Sequence, residues 1–128
     1  MTAADITLRI PHAKPYHGIA RLVVGGLAAR LDLSYEHLDD IQLALATVLE
    51  NENYSLSPEV TVELRVRDEG VGIVIGPLQE PELRTDLQKD GESVSLGRLL
   101  GTVVESVELE NRADGGWLHL QKRLPRAV

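Results

Sequence analysis

Residues 38 to 51 repeat with a helical period and form two faces that need different surroundings. Bulky apolar residues recur every three or four positions on one face, namely Leu38, Ile41, Leu45, Val48 and Leu49. Small and polar residues share the other face, namely Asp40, Ala44, Thr47 and Asn51. The first face is suited to packing on a core, and the second to bordering a pocket or solvent. The segment therefore predicts a helix that lies between a core and a candidate site.

The composition limits the size and chemistry of that core. With 128 residues, 43% of them hydrophobic, the chain fits one domain that spans residues 1 to 128. Only 3% of the residues are aromatic and Phe is absent, so the core must consist of Leu, Val, Ile and Ala. Such residues suit helices that pack on a sheet.

Charge and cysteine content exclude several classes of function. The net charge of -7 argues against nucleic-acid binding, because neutralising phosphates needs a cationic surface. The chain has no Cys, which removes disulfides, thiol catalysis and thiolate metal sites. There is no long apolar run and no basic-then-apolar leader, so we expect a cytoplasmic protein that does not enter a membrane.

Along the chain, alternating and helical patterns predict an α+β fold. The predicted order is a strand at 5–10, a helix at 19–31, a helix from Ser34, a hairpin at 60–75, a mobile loop at 77–95, a helix from Leu96 and a hairpin at 107–123. In the first helix the predicted core stripe consists of Ile19, Leu22, Val23, Leu27 and Leu31. We predict a two-layer sandwich with about three helices on a mainly antiparallel mixed sheet.

Five short runs carry a resemblance to a known family. They are residues 20–24 (ARLVV), 31–34 (LDLS), 43–51 (LALATVLEN), 95–100 (SLGRLL) and 115–120 (GGWLHL). Together they resemble the bacterial anti-sigma-factor serine/threonine kinases, which belong to the GHKL (histidine-kinase-like, Bergerat) ATPase superfamily. The resemblance extends from about Ile6 to Leu124 and implies the Bergerat fold, with ATP and Mg²⁺ as cofactors.

The second helix carries the family's catalytic motif in altered form. In the family a Glu acts as general base four residues before an Asn that helps to hold Mg²⁺. Here Asn51 stands at the Asn position, but Thr47 occupies the position of the general base. A threonine hydroxyl cannot act as a base near neutral pH, whereas a positioned carboxylate contributes roughly 10²- to 10⁴-fold to the rate. We therefore expect weak or absent kinase activity, as in a pseudokinase.

The adenine-binding motif, Asp-x-Gly-x-Gly, has two placements. The literal match is Asp68, Gly70 and Gly72, which would make these residues part of a nucleotide site. In the other placement Asp68 lies in a hairpin turn, because the residues from Val71 to Ile75 alternate as a strand. The motif would then fall on Pro77, Gln79 and Pro81, which cannot bind adenine in the family's way.

The family's phosphate-binding Gly-x-Gly is half retained before the third helix. Gly97 matches the second glycine, and Ser95 replaces the first. A helix start at this point would direct backbone N–H groups toward phosphate, although a Ser before a helix is equally an ordinary N-cap. The loop from 84 to 94, with Lys89, matches the position of the family's ATP lid.

Arg21 lies where the family contacts its protein partners. The resemblance therefore implies binding of a sigma factor, or of its STAS-domain anti-anti-sigma antagonist, by a homodimer. Two other functions stay open: an active ATP-dependent serine/threonine kinase, and a structural domain that retains only the fold. The histidines at 12, 17, 37 and 119 have no metal-binding spacing, so we expect no metal site other than the implied Mg²⁺.

Overall fold

The computed structural model describes residues 3–89 and 96–124. In these ranges the elements are β1 (Ala4–Pro11), α1 (His17–Leu31), α2 (Tyr35–Leu49), β2 (Glu59–Arg67), β3 (Gly70–Leu78), α3 (Glu80–Gln88), α4 (Leu96–Val103), β4 (Ser106–Arg112) and β5 (Gly115–Arg123). Two short 3₁₀ turns, Lys14–Tyr16 and Glu52–Tyr54, precede α1 and follow α2. The predicted α+β fold is confirmed.

The described strands form one sheet in the order β1-β2-β3-β5-β4, and every neighbouring pair is antiparallel. The predicted mainly antiparallel sheet is confirmed, and no pair of described strands is parallel, so the sheet is not mixed over this part of the chain. Two apolar rows cross all five strands: Leu8–Val62–Ile75–Leu118–Leu109 and Ile6–Leu64–Ile73–Leu120–Val107. These rows join the helices in one core, because period-two alternation places every second side chain on the same face.

The second helix follows the prediction closely at its start and less closely at its end. The Ser34 hydroxyl accepts a hydrogen bond from the backbone N–H of His37, which is the expected N-cap. The predicted core face is buried from Ile41 to Leu49. The helix ends at Leu49, however, and Asn51 begins the following 3₁₀ turn.

The small and polar face of α2 divides between two environments. Ala44 is fully buried, and Asp40 forms an ion pair with Lys122 Nζ at 2.9 Å. Lys122 is itself buried and also donates to the carbonyl of Val103, so it connects α2 to the end of α4. The C-terminal part of this face, from Thr47 onward, borders a pocket.

The predicted mobile loop at 77–95 was wrong over its described part. Strand β3 continues to Leu78, and α3 follows at once. Pro81 lies at the start of α3, where its missing N–H costs nothing, and Leu83 is fully buried in the core. Four helices thus form from the described residues, not three, because one buried leucine among charged neighbours gives no visible period.

The predicted core stripe of α1 was also partly wrong. The helix buries His17, Ala20, Val24 and Ala28, whereas Ile19 and Leu22 are 41% and 77% exposed. Small side chains let α1 approach its neighbours closely, so the bulkiest residues are not those on the inner face. No helix in the described ranges is both long enough and apolar enough to cross a membrane.

Candidate functional site

A small pocket lies at the end of α2, where the resemblance places a nucleotide. Its volume is about 200 Å³. The residues around it come from α2, the turn that follows, the end of α3 and the start of α4: Thr47, Asn51, Tyr54, Asp86, Lys89, Leu96 and Leu99. The fold therefore brings Thr47, Asn51 and Lys89 together.

Both residues of the altered catalytic motif already have hydrogen-bond partners. The Thr47 hydroxyl donates to the carbonyl of Leu43 at 2.7 Å, one turn earlier in α2. The Asn51 side-chain oxygen accepts from the backbone N–H of Asn53 at 3.0 Å and caps the Glu52–Tyr54 turn. In this arrangement Thr47 directs its proton to the helix, and the oxygen of Asn51 that could bind a metal ion serves as a cap.

Tyr54 and α3 enclose the pocket from the side of the predicted ATP lid. The Tyr54 side chain is 2% exposed, and its hydroxyl donates to Asp86 Oδ2 at 2.5 Å. Burial, followed by the hydrogen bond to Asp86, raises the pKa of the Tyr54 phenol well above its usual range. The Lys89 ammonium lies 3.5 Å from Asp86 Oδ1. The predicted lid is thus helical up to Gln88, and residues 90–94 lie outside the described ranges.

Gly97 lies in the first turn of α4, beside α3. A Cβ at this position would lie 3.2 Å from the carbonyl oxygen of Leu87. The glycine therefore lets α4 approach the backbone of α3, which is a packing reason for its presence. Ser95, the other residue of the predicted phosphate motif, lies outside the described ranges.

The literal Asp-x-Gly-x-Gly match lies far from this pocket. Asp68 is in the two-residue turn between β2 and β3, as the hairpin interpretation predicts. Asn51 lies near the other end of β3, since Ser55 pairs with Leu78 and the carbonyl of Tyr54 accepts from Gln79 N–H. The length of β3 places these two ends about 26 Å apart. Asp68, Gly70 and Gly72 are therefore not brought together with Asn51.

The glycines of that match have contacts within the sheet. A Cβ on Gly70 would lie 2.1 Å from the carbonyl oxygen of Lys122, and one on Gly72 would lie 3.2 Å from Gln121 Oε1. At the alternative position of the motif, Gln79 donates from its side chain to the carbonyl of Ser55 at 3.3 Å. Gln79 therefore ties the end of β3 to the turn after α2.

Arg21 lies on the exposed side of α1 and reaches the end of α2. Its guanidinium forms an ion pair with Glu50 at 2.6 Å, and the two side chains are 49% and 47% exposed. Its backbone carbonyl accepts from the side chain of Gln42 at 3.3 Å. The predicted partner residue is accessible, and it is already paired across the two helices.

A second pocket near Arg21 was missed by the sequence reasoning. It has a volume of about 540 Å³ and includes His12 and His17 in its wall. The histidines belong to the 12–17 segment, whereas the rest of the wall comes from residues 49–55, so no local motif marks the pocket. The described residues contain no group of three or more His, Asp or Glu side chains arranged to hold a metal ion.

The chain is similar in sequence to serine-protein kinases named RsbW. It is 25% identical over 122 residues to RsbW of Listeria monocytogenes serovar 1/2a, which covers 81% of this chain and 78% of the relative. It is 28% identical over 75 residues to RsbW of Oceanobacillus iheyensis, with 55% of this chain and 48% of the relative covered. No protein-family model matches the chain.

The fold has a counterpart among solved structures. The crystal structure of the RsbU and RsbW domains of Rv1364c from Mycobacterium tuberculosis superposes with a TM-score of 0.71 at 15% identity. The match covers 98% of this chain and 33% of the solved chain, so this protein corresponds to about a third of that larger protein. The sequence similarity to RsbW kinases and the fold shared with this solved structure confirm the predicted resemblance.

Proposed function

We propose that this chain is an anti-sigma-type regulator that acts by binding and does not transfer phosphate. Its partner is a sigma factor or the STAS-domain antagonist of an anti-sigma factor. The observation that carries the proposal is the small pocket around Thr47 and Asn51, whose polar side chains bond to one another or to the backbone. The chain would act as one domain, in the cytoplasm, and as a homodimer, as the resemblance implies.

The size of the pocket argues against bound nucleotide. Pockets that bind small molecules measure about 300 to 1,000 Å³. The pocket around Thr47 and Asn51 measures about 200 Å³. A movement of α3 away from Tyr54 that enlarged the pocket would break the hydrogen bond to Asp86 and expose the buried Leu83. The residues present therefore fit Mg-ATP poorly.

The chemistry of the pocket argues in the same direction. Thr47 supplies no carboxylate, and its proton is committed to the carbonyl of Leu43. Asp68, the carboxylate of the literal adenine motif, lies at the distant end of β3. Phosphoryl transfer would therefore lack its general base and the family's adenine contact.

The surface of α1 supports a role in binding. Arg21, Ile19 and Leu22 are all exposed on this helix, with Arg21 on a different side from the two apolar residues. Arginine is enriched at protein interfaces. The net charge of -7 also suits a partner with a basic surface.

The partner surface is tested with Arg21→Glu. We expect this variant to lose detectable binding to a sigma factor or STAS-domain protein from the same organism, measured by co-purification and calorimetry. The thermal midpoint should stay within a few degrees, since an exposed ion pair contributes at most about 1 kcal/mol. Arg30→Glu, near the other end of α1, is the matched control. Unchanged binding by Arg21→Glu would contradict the proposed surface.

The absence of phosphoryl transfer is tested with labelled ATP and a STAS-domain protein. We expect no transfer by the wild type, and none by Thr47→Glu, because restoring one carboxylate does not enlarge the pocket. Transfer by the wild type at several turnovers per minute would show an active kinase, which is the alternative that the similarity to RsbW kinases favours.

A further inference from the structure

The connection between β1 and α1 meets the end of α2 through two histidines. His12 directly follows β1, and its Nε2 lies 3.1 Å from the carbonyl oxygen of Leu49, the last residue of α2. His17 is the first residue of α1. The two ring centroids are 5.8 Å apart, and the ring planes meet at 63° in an edge-to-face arrangement. The imidazole pair therefore joins the start of α1 to the end of α2.

These rings are buried without the hydrogen bonds that imidazoles normally form. His17 is 8% exposed, and each of its ring nitrogens has less than 1 Å² of accessible surface and no hydrogen-bond partner among the described residues. The same holds for His12 Nδ1. These nitrogens are enclosed by the protein and do not face the neighbouring pocket. Because buried polar groups in native proteins usually have partners, the pair is a place where the packing is easily upset.

A proton on His17 is poorly accommodated in this environment. Burial, followed by the neighbouring His12 and then by Arg21, lowers the pKa of His17. Glu50 favours the charged ring, but its carboxylate is already paired with Arg21 at 2.6 Å. The other charged side chains in the wall of the adjoining pocket have opposite signs, namely Lys14 and Glu52. The His17 ring is therefore neutral near pH 7, and its cation would have two buried N–H donors without an acceptor.

The first turn of α1 has few anchors besides His17. No side chain caps the start of the helix, and no acidic residue lies in its first turn to balance a positive charge. Gly18 follows His17, and a Cβ on Gly18 would contact nothing within 4 Å. Among residues 17 to 20, His17 and Ala20 are buried. Because glycine also lowers the stability of a helix, this turn depends on the burial of His17.

We propose that the His12–His17 pair is a pH-sensitive latch, which holds the first turn of α1 on the end of α2 when it is neutral and releases that turn when His17 takes up a proton. In the released state the charged ring reaches water, which accepts from both N–H groups. The positive charge also leaves the N-terminal end of the helix, where the helix dipole opposes it. The ring then titrates near its ordinary pKa of about 6.5, so acidification shifts the equilibrium toward release.

The latch lies next to the proposed partner surface. Arg21 is one turn after His17 in α1, and its ion pair with Glu50 joins α1 to the residue that follows α2. Release of the first turn would move Arg21 relative to Glu50, so acidification should weaken the binding of a partner. This consequence rests on the proposed binding function, whereas the latch itself does not.

The latch is tested by native-state hydrogen exchange of the protein alone, followed by NMR from about pH 7.5 to 5.5 at low urea concentrations. The reporters are the N–H groups of residues 21 to 24, which bond to the carbonyls of residues 17 to 20 in an α-helix. The N–H groups of residues 44 to 48, in α2, are the comparison. The measured rates are divided by intrinsic exchange rates, which removes the direct effect of pH.

Two variants separate the latch from other titrating groups. His17→Leu removes the ring that takes up the proton. His37→Gln is the matched control, because it removes a half-buried histidine that lies outside the pocket of His12 and His17. The wild-type comparison between α1 and α2 decides the question even if His17→Leu does not fold.

We expect residues 21 to 24 to open locally, with lower protection factors and a weaker urea dependence than residues 44 to 48. From about pH 7.5 to 5.5 the protection factors of residues 21 to 24 should fall about fivefold, because the open state binds an additional proton. His17→Leu should abolish that fall, and His37→Gln should retain it.

Three results would overturn the latch. The first is equal protection and equal urea dependence in the two helices, which would show that α1 opens only when the whole domain unfolds. The second is protection that does not change with pH, and the third is a fall that persists in His17→Leu. No partner protein is present, so the Arg21→Glu experiment succeeds or fails independently.

Discussion

The two pockets at the C-terminal end of α2 differ in how completely their polar groups are paired. Around Thr47 and Asn51, where the resemblance implies a nucleotide, the protein's own groups bond to one another, and Tyr54 and α3 fill the space. Around His12 and His17, where the resemblance implies nothing, three buried ring nitrogens have no hydrogen-bond partner among the described residues. The comparison suggests that a fold can keep the position of a site after the polar groups of that site are engaged in other hydrogen bonds.

The largest expected effect is on stability, and it tests how firmly α3 packs on the core. Leu83 is fully buried, so Leu83→Ala should lower the free energy of unfolding by about 2 to 5 kcal/mol in urea denaturation. Leu22→Ala is the control, because its side chain is 77% exposed, and it should change stability by at most about 0.5 kcal/mol. Equal small effects would show that α3 is a loosely held lid and that the first pocket can open.

An intermediate effect is expected from the hydrogen bond that encloses the first pocket. Tyr54→Phe removes the hydroxyl that bonds to Asp86 and should cost about 1 to 2 kcal/mol by thermal denaturation. Tyr35→Phe, whose parent side chain is 85% exposed, should be neutral. A neutral Tyr54→Phe would mean that this bond does not hold the pocket closed.

A smaller effect is expected on the pH dependence of stability, through His17 in the second pocket. The folded protein lowers the pKa of His17, so the unfolded chain binds the proton more readily. The stability that this difference contributes is complete above the pKa of His17 in the unfolded chain, about 6.5, and decreases as the pH falls toward its lower pKa in the folded protein. We expect denaturation measurements from pH 7.5 to 5 to show that decrease, and His17→Leu to reduce it.

The control for the pH experiment is His37→Gln, because His37 is a half-buried histidine that lies outside the pocket of His12 and His17. Hydrogen bonds from His119 and Arg112 lower the pKa of Glu110. The stability that Glu110 contributes is therefore lost only at the more acidic pH at which carboxyl groups titrate. A wild-type profile that is flat between pH 7.5 and 5 would contradict the buried, neutral state of His17.

Local patterns in the sequence predicted the sheet and the second helix well. The alternation from Val60 to Val66 and from Val71 to Ile75 marks two strands whose inner residues form the apolar rows. Ser34 was predicted as the start of α2, and it caps that helix. These features depend on neighbours within a few residues, which is why one sequence is enough to predict them.

The features that were missed depend on contacts between distant residues. Leu83 is the one fully buried residue of α3, and Asp86 and Leu87 hold the helix through contacts with distant residues. Helix α1 turns Ala20 and Ala28 inward, where small side chains allow close packing. Lys122 is buried since Asp40 and the carbonyl of Val103 lie above β5. The pocket at His12 and His17 requires β1, α1 and α2 to meet. No local period marks any of these contacts.

The most direct test of the central claim, that the chain binds a partner without using a nucleotide, is a calorimetric titration of the wild-type protein with Mg-ATP. We predict no saturable heat up to about 1 mM Mg-ATP, which corresponds to a binding free energy weaker than about -4 kcal/mol. Saturable binding of one nucleotide per chain at micromolar concentrations would contradict the account, because it would show that the pocket around Thr47 and Asn51 opens to accept ATP.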